Sequence, residues 1–140
     1  MRCFEGRDAI ISKMEAIVPD EKAHSGDVFR SQPPGIDASL VDREFTVLRT
    51  VPQEPADRLF AGADPYAVMF EVIVSYLPAP GMQKRILQDG DLIVDTLKDL
   101  PASEVQIHNI ELNGGSDLDD EAGNRAATWT IRVFYDRRDP

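Results

Sequence analysis

A single cysteine, Cys3, and two histidines are all the thiol and imidazole ligands that the 140 residues supply. One thiol forms no internal disulfide, and the set is too poor for a zinc site, so a reducing compartment is expected. No apolar run approaches the roughly 18 residues that span a bilayer. The N-terminal segment, with Glu5 and Asp8 near its start, lacks the apolar core of a signal peptide. The expectation is a soluble protein made in the cytoplasm, with no membrane partner. Cations are also scarce, because 15 Lys and Arg stand against 25 Asp and Glu and leave a net charge of −10. A surface of that average charge repels polyanions, which disfavours wrapping around DNA. Neither G-x-G-x-x-G nor G-x-x-x-x-G-K-[ST] occurs, so a phosphate loop has no support and no cofactor is expected.

What is present is an ordinary globular balance, 42% hydrophobic and 29% charged, at the size of one domain covering residues 1–140. From Arg7 to Val18, Ile10, Met14 and Ile17 recur at helical spacing and predict a short amphipathic helix stopped by Pro19. Residues 20–42 carry no sustained period and read as an irregular crossing. Arg43 to Val51 alternates, with Phe45, Val47, Arg49 and Val51 on one face, and predicts a strand. A long loop is expected between Pro52 and Pro65, followed by the strongest strand, Tyr66 to Leu77. Val68, Phe70, Val72, Val74 and Tyr76 form one face of that strand. Met69, Ile73 and Leu77 on the other predict cover on both sides and a central place in the sheet.

Beyond Gly81, the stripe Ile86, Gly90, Ile93, Leu97 and Leu100 marks a second helix that Pro101 is expected to end. Gly90 within it points to a kink or to close packing on the sheet, while Asp89, Asp91, Asp95 and Asp99 are expected to face water. Glu104 to Asn113 reads as a third strand whose phase changes between Ile107 and Ile110, predicting a bulge near His108 or Asn109, with Ile110 and Leu112 on the opposite face from Val105 and Ile107. Ala127, Trp129, Ile131, Val133 and Tyr135 alternate in a closing strand. The fold class is thus α+β in the order α-β-β-α-β-β, a mostly antiparallel sheet of about four main strands packed by two helices. Phe70, Val72, Val74, Ile93, Leu97, Trp129, Ile131 and Val133 are the expected core.

Catalytic chemistry is hard to find in these residues. Asp117, Asp119, Asp120 and Glu121 with Gly123 invite comparison with a calcium loop, but the glycine falls one place late and Thr128 stands where a bidentate Glu is needed, so a solvated hairpin tip is the better reading. His24 and His108 have no ligands at metal spacing. Cys3 lies near Arg2 and Arg7, which favours the thiolate, yet no base is evident. Trp129 and Tyr135 suit core packing better than base stacking. The adjacent Leu59 and Phe60 in the long loop either tuck inward or await a partner. More telling is the stretch from Asp99 to Asn124, which holds seven acids and no Lys or Arg.

The short N-terminal helix, the strand Arg43-Glu44-Phe45-Thr46-Val47 and the central strand Phe70-Glu71-Val72-Ile73-Val74-Ser75-Tyr76 form a recognisable series. The Asp-rich helix segment Asp91-Leu92-Ile93-Val94-Asp95-Thr96-Leu97 and the closing Trp129-Thr130-Ile131-Arg132-Val133-Phe134-Tyr135 complete it. In element order, strand texture and length the chain resembles the tail terminator (tail completion) proteins of long-tailed bacteriophages. The resemblance implies a non-enzymatic virion protein, assembled in the host cytoplasm, that forms a homohexameric ring on the tail tube protein. Such a ring ends tube polymerisation and meets the head-tail connector or neck proteins, while DNA passes through its lumen without specific binding. On that reading Asp117, Asp119, Asp120 and Glu121 face the lumen. Arg125, Arg132, Arg137 and Arg138 join Leu59 and Phe60 as contacts to a neighbouring subunit or partner. Two alternatives stay open: another neck or head-tail connector protein, and a small-ligand-binding or enzymatic α+β domain with a pocket between sheet and helix.

Overall fold

A computed structural model of the chain describes residues 1–17, 27–30, 43–56, 64–76, 82–103, 106–114, 118–119 and 125–138. The elements in order are α1 (Cys3–Glu15), β1 (Asp27–Arg30), β2 (Arg43–Pro55), β3 (Pro65–Tyr76), α2 (Met82–Leu97), α3 (Leu100–Ser103), β4 (Ile107–Gly114), β5 (Leu118–Asp119) and β6 (Arg125–Asp136). The strands form one sheet ordered β1-β2-β3-β6-β4, with β5 beside the start of β6. Its main four strands are antiparallel, and β3 takes the central place that its apolar texture predicts.

Register explains the core. Val72 stands opposite Val47 on one side and Trp129 on the other, and Phe70 opposite Arg49 and Ile131. Directly opposed residues share a face, so the alternating apolar residues of β2, β3 and β6 line one surface of the sheet. Ile10 and Met14 of α1, Ile86, Ile93 and Leu97 of α2 and Leu100 of α3 close over it. All eight expected core residues are buried. At about 1.5–3 kcal/mol for each large apolar side chain removed from water, this seam is the main favourable term in folding. Gly90 is the close approach that its position in the stripe predicts, because a Cβ there would lie 3.2 Å from Cζ2 of Trp129.

Several expectations need correction. α1 begins at Cys3 instead of Arg7 and ends at Glu15. The crossing contains β1, which pairs with β2 in parallel over four residues, too short for a period to show. β2 runs on to Pro55 through register shifts between Arg49 and Val51 and between Val51 and Glu54. A bulged stretch accommodates Pro52 because the ladder is already interrupted there. α2 ends at Leu97, and Pro101 lies in the first turn of α3, where its missing N–H costs nothing.

The predicted bulge in β4 is present between Ile107 and Asn109, but its effect is the reverse of that expected. Ile107, Ile110 and Leu112 stand opposite Tyr135, Val133 and Ile131, so the extra residue returns all three to the same face. Asp89 does not face water. It is 4% exposed and accepts a 2.8 Å hydrogen bond from the Tyr76 hydroxyl. On the far side of β3, Ala67, Ile73 and Ser75 are buried while Met69 and Glu71 are half-buried, so cover on that face is partial. No described helix is long and apolar enough to cross a membrane.

Candidate functional site

Arg125, Arg132, Arg137 and Arg138, expected as contacts to a neighbouring subunit or partner, are spread along β6 and the residues that follow it. Arg132 points to the sheet face away from the helices, 3.4 Å from the Glu54 carboxylate and 5.1 Å above the Phe134 ring. Arg125 opens β6, while Arg137 and Arg138 follow its other end, a full twelve-residue strand away. Arg138 is committed to Asp136, with Nη2 to Oδ2 at 2.7 Å and Nε within 3.2 Å of both carboxylate oxygens. Asp136 also accepts the backbone N–H groups of Arg138 and Asp64. These bonds, the Arg138 guanidinium first, hold its carboxyl well below the usual carboxylate range. The terminal ammonium of Met1 donates to the Asp136 carbonyl at 2.7 Å, so the approach to α1 is fastened beside the end of β6.

Arg137 has different company. It lines a cleft of about 590 Å³ together with Arg2, Arg7 and Arg49, and the rest of the wall is Gln53 with Cys3, Phe4 and Phe70. The local structure accounts for this gathering. α1 lies close to the sheet because Gly6 leaves room for Phe70 and the Met1 side chain. Its first turn therefore brings Arg2, Cys3 and Arg7 over the end of β2 and β3, and Nε of Arg7 donates to the Val47 carbonyl at 3.1 Å. Arg49 follows Phe45 and Val47 on the apolar face of β2, just before the first register shift. Arg137 enters from the end of β6 with its guanidinium 5.1 Å over the Tyr66 ring.

Polar contacts at the cleft are incompletely satisfied. Nε of Arg137 is buried and meets no acceptor among the described residues. Beside it, the Tyr135 hydroxyl donates to Oε1 of Gln53 at 2.6 Å. Burial, with smaller contributions from Cys3 and Tyr66 that outweigh the opposing pull of Arg137, pushes the Tyr135 phenol up to about 12. Cys3 corrects the sequence expectation in two ways. Burial raises its thiol above the ordinary value, and the cations that oppose this are Arg49 and Arg137, not Arg2 and Arg7. The thiol is therefore a poor nucleophile at neutral pH. What four guanidinium groups and two phenyl rings can do is hold an anion against an apolar wall.

Other candidates fall elsewhere. Leu59, Phe60, Asp117, Asp120, Glu121 and His24 lie outside the described residues. Asp119 belongs to β5, with its backbone opposite Arg125. His108 is exposed on β4, and no group of three His, Cys, Asp or Glu able to hold a metal ion occurs among the described residues. On α2, Leu87 and Val94 share one flank at 62% and 41% exposure, and Leu92 lies on the other flank at 46%. Pattern reading missed the arginine cleft because its cations come from three distant segments. The one local signal was Arg49, a charge standing on an otherwise apolar strand face. Comparison with protein-family models finds no match, and comparison with curated proteins finds none either.

Proposed function

We propose that the protein is a structural component of a phage tail, a ring-forming tail terminator with no catalytic activity. The carrying observation is on α2, where Leu87 and Val94, seven residues apart and so on one flank of the helix, stay exposed while Ile86, Ile93 and Leu97 are buried against the sheet. Large aliphatic side chains left in water beside a well-packed core favour a protein contact. The order of main elements supports the same reading, as does the net charge of −10, which lets DNA pass a lumen without phosphates finding cations to grip. In this reading the Leu87–Val94 flank of α2 meets the next subunit, the ring joins the tail tube and the connector or neck proteins, and the mature location is the virion.

Light scattering after size exclusion and negative-stain microscopy, with and without purified tail tube, test the proposal. Rings are expected, and Leu87→Ser with Val94→Ser should abolish them while leaving the monomer folded. A protein that stays monomeric on tubes of every kind would sink the reading. Exchanging Asp117, Asp119 and Asp120 for Lys should leave rings intact and create salt-sensitive DNA binding. Rings that gain no DNA affinity would place those acids away from the lumen. A second reading, a small-ligand-binding α+β domain, is favoured by the arginine-lined cleft, whose size is that of ordinary ligand sites.

A further inference from the structure

We propose that the cleft between α1 and the end of the sheet is a binding site for a small organic anion, with a phosphate or carboxylate head held by arginine and a flat apolar body against Phe4 and Phe70. The inference does not rest on the ring reading. Its basis is a local reversal of the molecule's charge. The chain has ten more acids than bases, and outside the cleft Arg138 pairs with Asp136 and Arg132 with Glu54. The cleft gathers four arginines, yet no Asp or Glu is among its lining residues. Bringing like charges together is costly unless an anion completes the arrangement.

The unmatched Nε–H of Arg137 is the second sign, because a buried charged donor left without an acceptor costs more than the bond would return. An oxyanion reaching it would supply an acceptor that the described residues do not. The guanidinium is already held over Tyr66, and Nε of Arg7 is anchored to Val47, so the donors are preorganised and little rotamer freedom is lost on binding. The apolar half of the wall sets the ligand class. Phe4, 65% exposed at α1, offers an open ring face to a planar group, and Phe70 forms the buried apolar floor beneath. A nucleic acid fits less well, since its following phosphates would lie along a surface of net charge −10. A ligand with one or two charges avoids that repulsion, because its charge stays within the arginine-lined cleft.

Isothermal titration calorimetry on the full chain, with phenyl phosphate, benzoate, inorganic phosphate and neutral benzyl alcohol as probes, tests the site. Saturable binding of phenyl phosphate or benzoate is expected, and whichever binds tighter identifies the head group. Benzyl alcohol should not bind, and inorganic phosphate should bind at least roughly tenfold more weakly. Arg49→Ala and Arg137→Ala should each weaken binding by roughly tenfold or more, while Arg132→Ala on the opposite face leaves it unchanged. Cys3 offers a readout independent of calorimetry, because it lines the cleft and is the chain's one thiol. Phenyl phosphate should slow its alkylation by iodoacetamide. Failure of both organic anions to bind, equal binding of inorganic phosphate, or equal loss in Arg132→Ala would each overturn the assignment.

Discussion

The two helices cover the same sheet face, yet the ends they cover are built differently. At the α2 end the seam is sealed: Ile93, Leu97 and Leu100 are fully buried, the Trp129 ring edge fits against Gly90, and the one carboxylate inside, Asp89, is met by the Tyr76 hydroxyl. At the α1 end the same apolar rows run into Arg49, and the space between helix and sheet stays open as a cleft. One end devotes its residues to packing alone, while the other gives up packing for four guanidinium groups. Local rules broken without a structural return are where function is expected. Stability should therefore depend on the α2 end and ligand binding on the α1 end.

Truncation at each end gives the largest contrast. Leu97→Ala removes a fully buried side chain under α2 and should cost about 2–4 kcal/mol in urea or thermal unfolding, as should Val72→Ala beneath it. Phe4→Ala at the cleft should change stability by less than about 0.5 kcal/mol, since the ring is largely exposed. Similar losses at both ends would erase the distinction between a sealed and an open end.

How far this was legible depended on range along the chain. The periods of α1, α2, β3 and β6 reside in adjacent residues, so the central strand, the helix stripes and the whole expected core follow from the sequence. Even the β4 bulge showed as a phase change, though which face it restored depended on the partner residues of β6. Asp89 looked like an outward acid because it flanks the apolar stripe. Its burial depends on Tyr76, thirteen residues away, supplying a donor. Arg125, Arg132, Arg137 and Arg138, close in sequence, are spread along and beyond β6, whereas Arg2, Arg7, Arg49 and Arg137 meet only through folding. β1 and the extension of β2 past Pro52 show no period, and only pairing with neighbours makes them strands.

The two buried tyrosines sharpen the comparison next. Tyr76→Phe removes the donor to a buried carboxylate and should cost about 1–2 kcal/mol. Tyr135→Phe, at the open end, loses a bond to the neutral amide of Gln53 and should cost about 1 kcal/mol or less. Tyr135 also carries a pH signature. Its phenol titrates near 12 when folded, above the ordinary value of about 10 in the unfolded chain. The folded state thus binds the proton more tightly, so this contribution is complete below about pH 10 and fades as pH rises towards 12. Unfolding measured from pH 9 to 12 should fall less steeply in Tyr135→Phe than in the parent. An identical slope would show that the phenol is not buried as described.

The smallest effect comes from the two glycines on which the helices rest. Alanine in a helix is favoured over glycine by about 1 kcal/mol, and the question at each site is what the new methyl meets. At Gly6 it would lie 3.2 Å from Cε of Met1 and 3.7 Å from Phe70. The methionine tip is flexible and moves at little cost, so Gly6→Ala should stabilise by up to about 1 kcal/mol. At Gly90 the methyl would lie 3.2 Å from Cζ2 of Trp129, an edge of a rigid ring held in the core between β3 and α2. The indole cannot bend away, and shifting it strains packed neighbours, which should cancel the propensity gain and leave Gly90→Ala between no change and a loss of about 1 kcal/mol. Thermal unfolding of the two variants side by side reads the difference. A gain at Gly90 equal to that at Gly6 would mean that the α2 end yields as readily as the α1 end, and that the sealed seam is not tightly packed.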